Sequence, residues 1–237
     1  MKHPSNWIRL LSIVTLFTAV SCNSGEEKKE AQADSLAKAA TVAPAPLKDE
    51  LFVKHKVADF DKWKAAFESG AADRAAAGLQ DHIIARGVED PNTVLIIEFM
   101  DDADKAKTFV ADPKLKEAMA KAGAISAPEI DYIHRVDTDT TPTDLTARLM
   151  VKLKVKDWAS WKKVFDTDKA DRLAGGLSDR MVGHAVGDDH SVTLVFVVND
   201  AAKAKAMMSS KELGEKMKTS GVEGQPSVFF YTVAVKK

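Results

Sequence analysis

A chain of 237 residues is long enough for one large domain or two small ones. Its composition, 45% hydrophobic and 29% charged, is typical of a globular protein and excludes disorder along the whole length. The 34 basic and 35 acidic residues nearly cancel, so charge gives no reason to predict nucleic-acid binding. The single cysteine excludes an internal disulfide, a CxxC redox pair and a cysteine metal cage.

The first segment has the layout of a secretory signal. Lys2 and Arg9 precede an apolar run over 10–20, which is too short for a membrane span of about 20 residues. The run ends in Ala-Val-Ser-Cys22 and resembles a bacterial lipobox, which implies cleavage after residue 21 and lipidation of Cys22. We expect an outer-membrane lipoprotein of the bacterial cell envelope, anchored through lipid. An ordinary signal peptide with an incidental cysteine is the alternative.

Residues 22–50 follow as a tether. They are rich in Ala, Glu, Lys and Pro and contain almost no large apolar side chain. Such a segment cannot bury enough surface to offset its ordering entropy, so we predict that it is disordered.

The remainder of the chain repeats itself with an offset of 98 residues. Trp63 matches Trp161, and Gly123 matches Gly221 without any gap between them. This pattern predicts two copies, 51–136 and 147–237, joined by a polar linker over 137–146.

Each copy shows the same series of elements. In the first, an alternating strand over 51–57 precedes a helix that is capped by Asp59 and ends at Gly78. Strands follow over 82–88 and 94–99, then a helix from Asp102 that restarts at Pro113 and stops at Gly123, and a strand over 130–136. The order β-α-β-β-α-β is ferredoxin-like, so the predicted class is α+β with two tandem ferredoxin-like repeats.

The repeat resembles the dimeric α+β barrel superfamily, close to its antibiotic-biosynthesis-monooxygenase-like and cyclase-like bacterial domains. The resemblance rests on Trp63-x-x-x-Phe67, on Arg74 seven residues later, and on Leu115-x-x-x-Met119-x-x-x-Gly123. It implies that the two copies pair their sheets into one intramolecular barrel, which would leave the protein monomeric. The family often carries a histidine three residues after the helix Phe. This chain has Gly70 and Asp168 there, so that histidine chemistry does not carry over.

His55 is the first candidate for a functional residue, because the second copy has Leu153 in its place. It could bind a ligand or transfer protons in a pocket between helix and sheet, or it could be a locally hydrogen-bonded core residue.

A second set of polar residues could line the barrel and favour an anionic small molecule. The set is Lys54, Lys56, Arg86, Glu98, Lys152, Lys154 and His184. Solvated strand faces are the alternative. Arg74 and Arg172 could each hold a ligand carboxylate, although an ion pair at a helix end, with the neighbouring Asp73 or Asp171, explains them as well.

The sequence predicts neither a metal nor a cofactor. Asp188-Asp189-His190 with His184 lacks a recognised ligand spacing. No GxSxG, P-loop, GxGxxG or HExxH motif is present.

Three functions remain open. The preferred one is a non-catalytic lipoprotein that binds a small anionic or hydrophobic molecule. The second is a cofactor-independent monooxygenase or isomerase that uses His55 or His184. The third is a structural or partner-binding surface protein with a filled barrel.

Overall fold

The computed structural model describes residues 47–237. The predicted signal peptide, the lipidation site Cys22 and nearly all of the predicted tether lie outside this range. No helix among the described residues is long and apolar enough to cross a membrane.

The described chain has two halves with the same order of elements. The first half, 49–138, contains β1 (Asp49–Lys56), α1 (Phe60–Ser69), α2 (Ala71–Ala76), β2 (Leu79–Gly87), β3 (Thr93–Met100), α3 (Ala103–Val110), α4 (Pro113–Lys121) and β4 (Glu129–Thr138). The second half, 147–236, contains β5 (Ala147–Val155), α5 (Trp158–Thr167), α6 (Lys169–Ala174), β6 (Leu177–Ala185), β7 (Asp188–Val198), α7 (Ala201–Met208), α8 (Lys211–Thr219) and β8 (Val222–Lys236).

The eight strands form one closed antiparallel barrel. The order around it is β1-β3-β2-β8-β5-β7-β6-β4, and β4 pairs back to β1. The strands of each half therefore stay together, and the halves join at two seams, β2–β8 and β4–β6. Closure leaves no free sheet edge in the barrel. The predicted α+β class is confirmed.

Because side chains alternate between the two faces of each strand, the buried core forms three layers. One buried cluster draws on every strand and fills the barrel: Phe52, Ala85, Leu95, Ile97, Ile133, Met150, Met181, Val195 and Tyr231. Two further clusters lie outside the barrel, each between the sheet of one half and its helices. Because successive side chains on a strand point to opposite faces, each position faces either the barrel interior or a helix layer.

The predicted long first helix is two helices in each half. In the first half the break falls at Gly70, and Nη1 of Arg74 donates to the carbonyl oxygen of Phe67 at 2.6 Å. In the second half the break falls at Asp168, and Arg172 makes the equivalent bond to Phe165. The bend therefore does not need glycine. It is stabilised by a guanidinium group that donates to a carbonyl at the helix end, which also accepts from the backbone N–H of residue 70 or 168.

Candidate functional site

A cavity of about 1180 Å³ lies between the sheet and the helices of the first half. Its wall is mainly apolar and includes Leu51, Val53, Trp63, Phe67, Ile96, Phe109, Leu115 and Met119. Exposed Ala66 on α1 and exposed Ala118 on α4 also line it, so the mouth lies between these two helices. A volume of this size accommodates a small organic molecule.

His55 lies in the wall of this cavity, on β1. Its side chain is almost fully buried, its ring meets the Trp63 ring edge-on at 5.5 Å, and neither ring nitrogen has a hydrogen-bond partner. Burial lowers the pKa of His55 to about 4. The imidazole is therefore neutral at pH 7 and can offer a ligand one donor and one acceptor.

Glu98 lies in the same wall, on β3, and is only 3% exposed. Burial raises the pKa of Glu98 to about 7, although the Arg74 charge opposes the rise. Its Oε1 lies 2.9 Å from Nε of Arg74, but the Arg74 N–H groups are directed at Asp81 and Oε1 receives no hydrogen bond. Glu98 is thus a carboxyl group that can gain or lose a proton near neutral pH.

The two polar groups lie at opposite ends of the cavity. His55 is opposite Val94, whereas Glu98 is opposite Leu51, on the same strand pair β1–β3. Four residues of strand separate them, which is about 13 Å. They cannot exchange a proton directly, but one ligand can contact both.

The guanidinium group of Arg74 is bound by other side chains of the protein. Its Nε and Nη2 donate to the two carboxylate oxygens of Asp81 at 2.9 and 3.0 Å, and its guanidinium stacks on Phe67 at 3.6 Å. Nζ of Lys237 also donates to Asp81 at 2.8 Å. Burial raises the pKa of Asp81, but these hydrogen bonds from Lys237 and Arg74 outweigh it and lower the value overall.

Arg172 makes the equivalent pair with Asp179 at 2.6 Å. The sequence suggested that each arginine pairs with the aspartate directly before it, Asp73 or Asp171. The structure instead shows pairing with Asp81 and Asp179. Both arginines bind carboxylates of their own half rather than standing free for a ligand.

The equivalent pocket of the second half is almost closed, with a volume of about 100 Å³. Leu153 stands where the first half has His55, and Phe196 stands where it has Glu98. Met207 and Met208 line the remaining space. At the rim, Nζ of Lys216 lies 2.6 Å from a carboxylate oxygen of Asp171, and the first half has Ala118 at the position of Lys216.

The barrel interior holds only part of the predicted polar set. Lys54 and Lys152 share strand faces with the interior residues Phe52 and Met150. Nζ of Lys54 lies 2.7 Å from Glu129, and Nζ of Lys152 lies 2.8 Å from Asp131. These carboxylates neutralise the lysines, so the predicted basic cavity inside the barrel is not formed.

The other members of that set lie elsewhere. Arg86 is on the outer face, where its guanidinium stacks over Phe60 at 4.2 Å. His184 is also on the outer face, edge-on to Trp158. Lys56 and Lys154 are exposed, and Glu98 faces the helices. The prediction that Arg86, His184 and Glu98 line the barrel is wrong, because their places in the strand alternation are on the outer face. Lys56 and Lys154 lie on the same strand faces as Lys54 and Lys152, but they are exposed at the ends of their strands.

In residues 47–237, no group of three or more His, Cys, Asp or Glu side chains is arranged to hold a metal ion. In the hairpin that contains Asp188, Asp189 and His190, Nδ1 of His190 donates to the carbonyl oxygen of Val155 at 2.9 Å.

The sequence interpretation missed the position of Glu98. The available signal was that an otherwise apolar strand carries one carboxyl group, at a place where the second half has Phe196 at the offset of 98 residues. That is the same contrast that singled out His55.

The sequence matches no protein-family model and no curated protein. Solved structures do match. A candidate monooxygenase from Lactobacillus acidophilus NCFM aligns with a TM-score of 0.52 and 13% identity, over 80% of this chain and 95% of that one. A candidate monooxygenase from Fusobacterium nucleatum subsp. nucleatum gives 0.50 and 16%, over 79% and 93%. An anthrone oxidase-like protein gives 0.52 and 14%, over 80% and 92%. At these identities the likeness establishes the fold alone, an α+β barrel of the kind found in these proteins.

Proposed function

We propose that the first-half cavity is the active site of a cofactor-independent monooxygenase or isomerase that acts on a small, mostly apolar molecule. One observation carries this proposal. The only half with a large cavity among the described residues is also the half in which two buried polar side chains line the cavity. They are His55, whose ring nitrogens have no hydrogen-bond partner, and Glu98, whose Oε1 lies beside Arg74 but receives no hydrogen bond.

The energetics favour a functional role for these two residues. The buried His55 ring has no hydrogen-bond partner, which costs about 1–3 kcal/mol, and burial disfavours the charged form of Glu98. The second half has the same elements with Leu153 and Phe196 at these positions, so the architecture does not require polar side chains there. A stability cost without a structural need is typical of a functional site.

The chemistry follows from the protonation states. Ionised Glu98 can remove a proton from a carbon next to a carbonyl group, and His55 can donate a hydrogen bond to a substrate oxygen at the far end. Return of the proton to another carbon completes an isomerisation. Alternatively, the carbanion reacts with dioxygen, and a CH₂ group plus O₂ gives C=O plus H₂O. The substrate supplies all four electrons, so the balance needs no further reductant.

The structural neighbours support this class only through the fold. Two are candidate monooxygenases and one is an anthrone oxidase-like protein. The residues proposed to act here come from this chain's own cavity.

Anthrone is a suitable probe, since its CH₂ group flanks a conjugated ketone system. We expect oxygen uptake above the autoxidation rate, at one O₂ per anthrone. Glu98→Gln should abolish the excess uptake and His55→Leu should lower it at least tenfold. Lys216→Ala, in the second half, serves as the control and should leave uptake unchanged. Catalysed uptake that survives both first-half substitutions would overturn the assignment.

A non-catalytic binding protein is the second candidate. The pKa of His55, about 4, makes its imidazole a weak base, which suits a hydrogen-bonding role. Saturable quenching of Trp63 fluorescence by anthrone, without catalysed oxygen uptake or isomerisation, would favour this candidate over the enzyme.

We also propose that the halves are tandem ferredoxin-like copies and that the chain is exported as a monomeric lipoprotein. The gapless offset and the matching strand orders β4-β1-β3-β2 and β8-β5-β7-β6 support the first point. The second is tested by Cys22→Ala, which should abolish labelling by a fatty-acid analogue. Persistent labelling would refute it.

A further inference from the structure

We propose that His134 and His184 form a binding site for one divalent transition-metal ion such as Zn²⁺. The site lies on the outer surface of the barrel, at the β4–β6 seam between the halves. It is separate from the first-half cavity, and neither residue lines that cavity.

The two imidazoles are placed as a chelating pair. His134 on β4 and His184 on β6 are directly opposite each other in the antiparallel ladder. Their ring centroids lie 5.1 Å apart, with the planes tilted by 42°. Two histidines that bind one tetrahedral Zn²⁺ at about 2.0–2.1 Å have ring centres about 5 Å apart. The observed separation is therefore the one that a shared ion needs.

The hydrogen bonds set the tautomer of both rings. Nδ1 of His134 lies 2.9 Å from a carboxylate oxygen of Asp49, and Nδ1 of His184 lies 3.0 Å from the carbonyl oxygen of Ala185. Both partners can only accept, so Nδ1 carries the proton and donates in each ring. In the neutral rings the lone pair is then on Nε2. Metal-binding histidines characteristically donate their second ring nitrogen to a carboxylate or carbonyl in this way.

The surroundings leave room for an ion. The His134 side chain is 51% exposed, so water can complete the coordination. The Trp158 ring lies edge-on to His184 at 5.1 Å and restricts its rotation. The opposite seam supplies an internal comparison, because Arg86 pairs with Thr232 at the equivalent positions. The pair of imidazoles is thus particular to one seam.

The test is a Zn²⁺ titration of the full-length chain, followed by calorimetry. Cys22→Ala is the common background, since a free thiol would itself bind zinc. His134→Ala and His184→Ala each remove one ligand. Asp49→Ala removes the partner of Nδ1 and should weaken binding by about tenfold or more. His190→Ala is the matched control, because Nδ1 of His190 also lies near a carbonyl oxygen but its ring faces no second imidazole.

We expect one Zn²⁺ per chain, bound at least tenfold more weakly in each single ligand variant and unchanged in His190→Ala. In the ring ¹⁵N NMR spectrum, adding Zn²⁺ should change the chemical shift of Nε2 in both His134 and His184. Zn²⁺ should also raise the melting temperature of the parent and not of the ligand variants, because the ion links strands of the two halves. Binding that is absent, equal in all variants, or dependent on only one of the two histidines would overturn the proposal.

Discussion

The two halves share strand order, helix breaks and a buried Arg–Asp pair, yet their helix–sheet interfaces differ. The first half encloses about 1180 Å³ and the second about 100 Å³. The difference comes from a few side chains, notably Phe196 for Glu98, Leu153 for His55 and Lys216 for Ala118. The comparison teaches that this architecture tolerates either a filled or an open interface, so the open one needs a reason other than folding.

The largest expected effect comes from placing the carboxyl group in the filled half. Phe196→Glu removes a 4% exposed aromatic side chain from the second-half core and buries a carboxyl group there, near an Arg172 that already donates to Asp179. We expect a loss of about 3–5 kcal/mol in the free energy of unfolding, measured with urea. The reverse change, Glu98→Phe, should cost far less, because the cavity has room for the ring. Equal losses would show that the halves do not differ as described.

Glu98 should also impose a pH dependence. Because its folded-state pKa, about 7, is raised above the ordinary 4.5, its contribution to stability is fully present below pH 4.5. It is lost as the pH rises through 7. Glu98→Gln removes this loss, so the stability of the parent relative to the variant should fall by about 3 kcal/mol between pH 4.5 and 8.

Urea denaturation of both proteins at several pH values measures this difference. Taking the difference removes the opposing effect of His55 and His82, whose lowered pKa values, both about 4, cost stability as the pH falls from 6.5. A difference that does not change with pH would contradict the raised pKa of Glu98.

A third change makes the first half resemble the second. Gly70→Asp with Ala118→Lys recreates the acidic and basic residues of the Lys216 ion pairs at the cavity mouth. A Cβ on Gly70 would approach Nη1 of Arg74 at 3.3 Å, a contact that a flexible guanidinium group can relieve. We expect anthrone affinity, followed by Trp63 fluorescence, to fall by about tenfold, or 1.4 kcal/mol. Gly70→Asp with Ala120→Lys, on the same helix but outside the cavity wall, is the charge-matched control and should bind normally.

The smallest effect is expected from opening the second half. Lys216→Ala removes exposed ion pairs, which contribute less than about 1 kcal/mol. Since Phe196, Met207 and Met208 still fill the interior, the binding stoichiometry for anthrone should stay at one per chain. A second binding site in this variant would mean that Lys216 at the mouth, and not the side chains inside, closes the second-half pocket.

Local signals in the sequence predicted much of the fold. The predicted caps Asp59 and Asp102 accept hydrogen bonds from backbone N–H groups at the starts of their helices. Helix breaks and strand ends were less accurate. The break at Gly70 depends on a hydrogen bond from Arg74, and β1 begins two residues inside the predicted tether because it pairs with β3.

The sequence predicted only one of the two polar residues of the candidate site correctly. His55 was found because its repeat partner is apolar, and its position between helix and sheet was anticipated. Glu98, Arg86 and His184 were assigned to the barrel interior, and the structure places all three outside it. The error has a physical cause, because strand alternation separates two faces but does not say which face the helices cover.

By itself the sequence determined the α+β class and the order of elements, because caps, turns and alternation act over a few residues. Only the tertiary structure decided that the barrel closes on itself and that Arg74 forms its ion pair with Asp81. It also decided that one helix layer stands open over His55 and Glu98 while the other is filled. These outcomes depend on packing between residues far apart in the chain, where the size of a side chain such as Phe196 or Glu98 decides whether space remains.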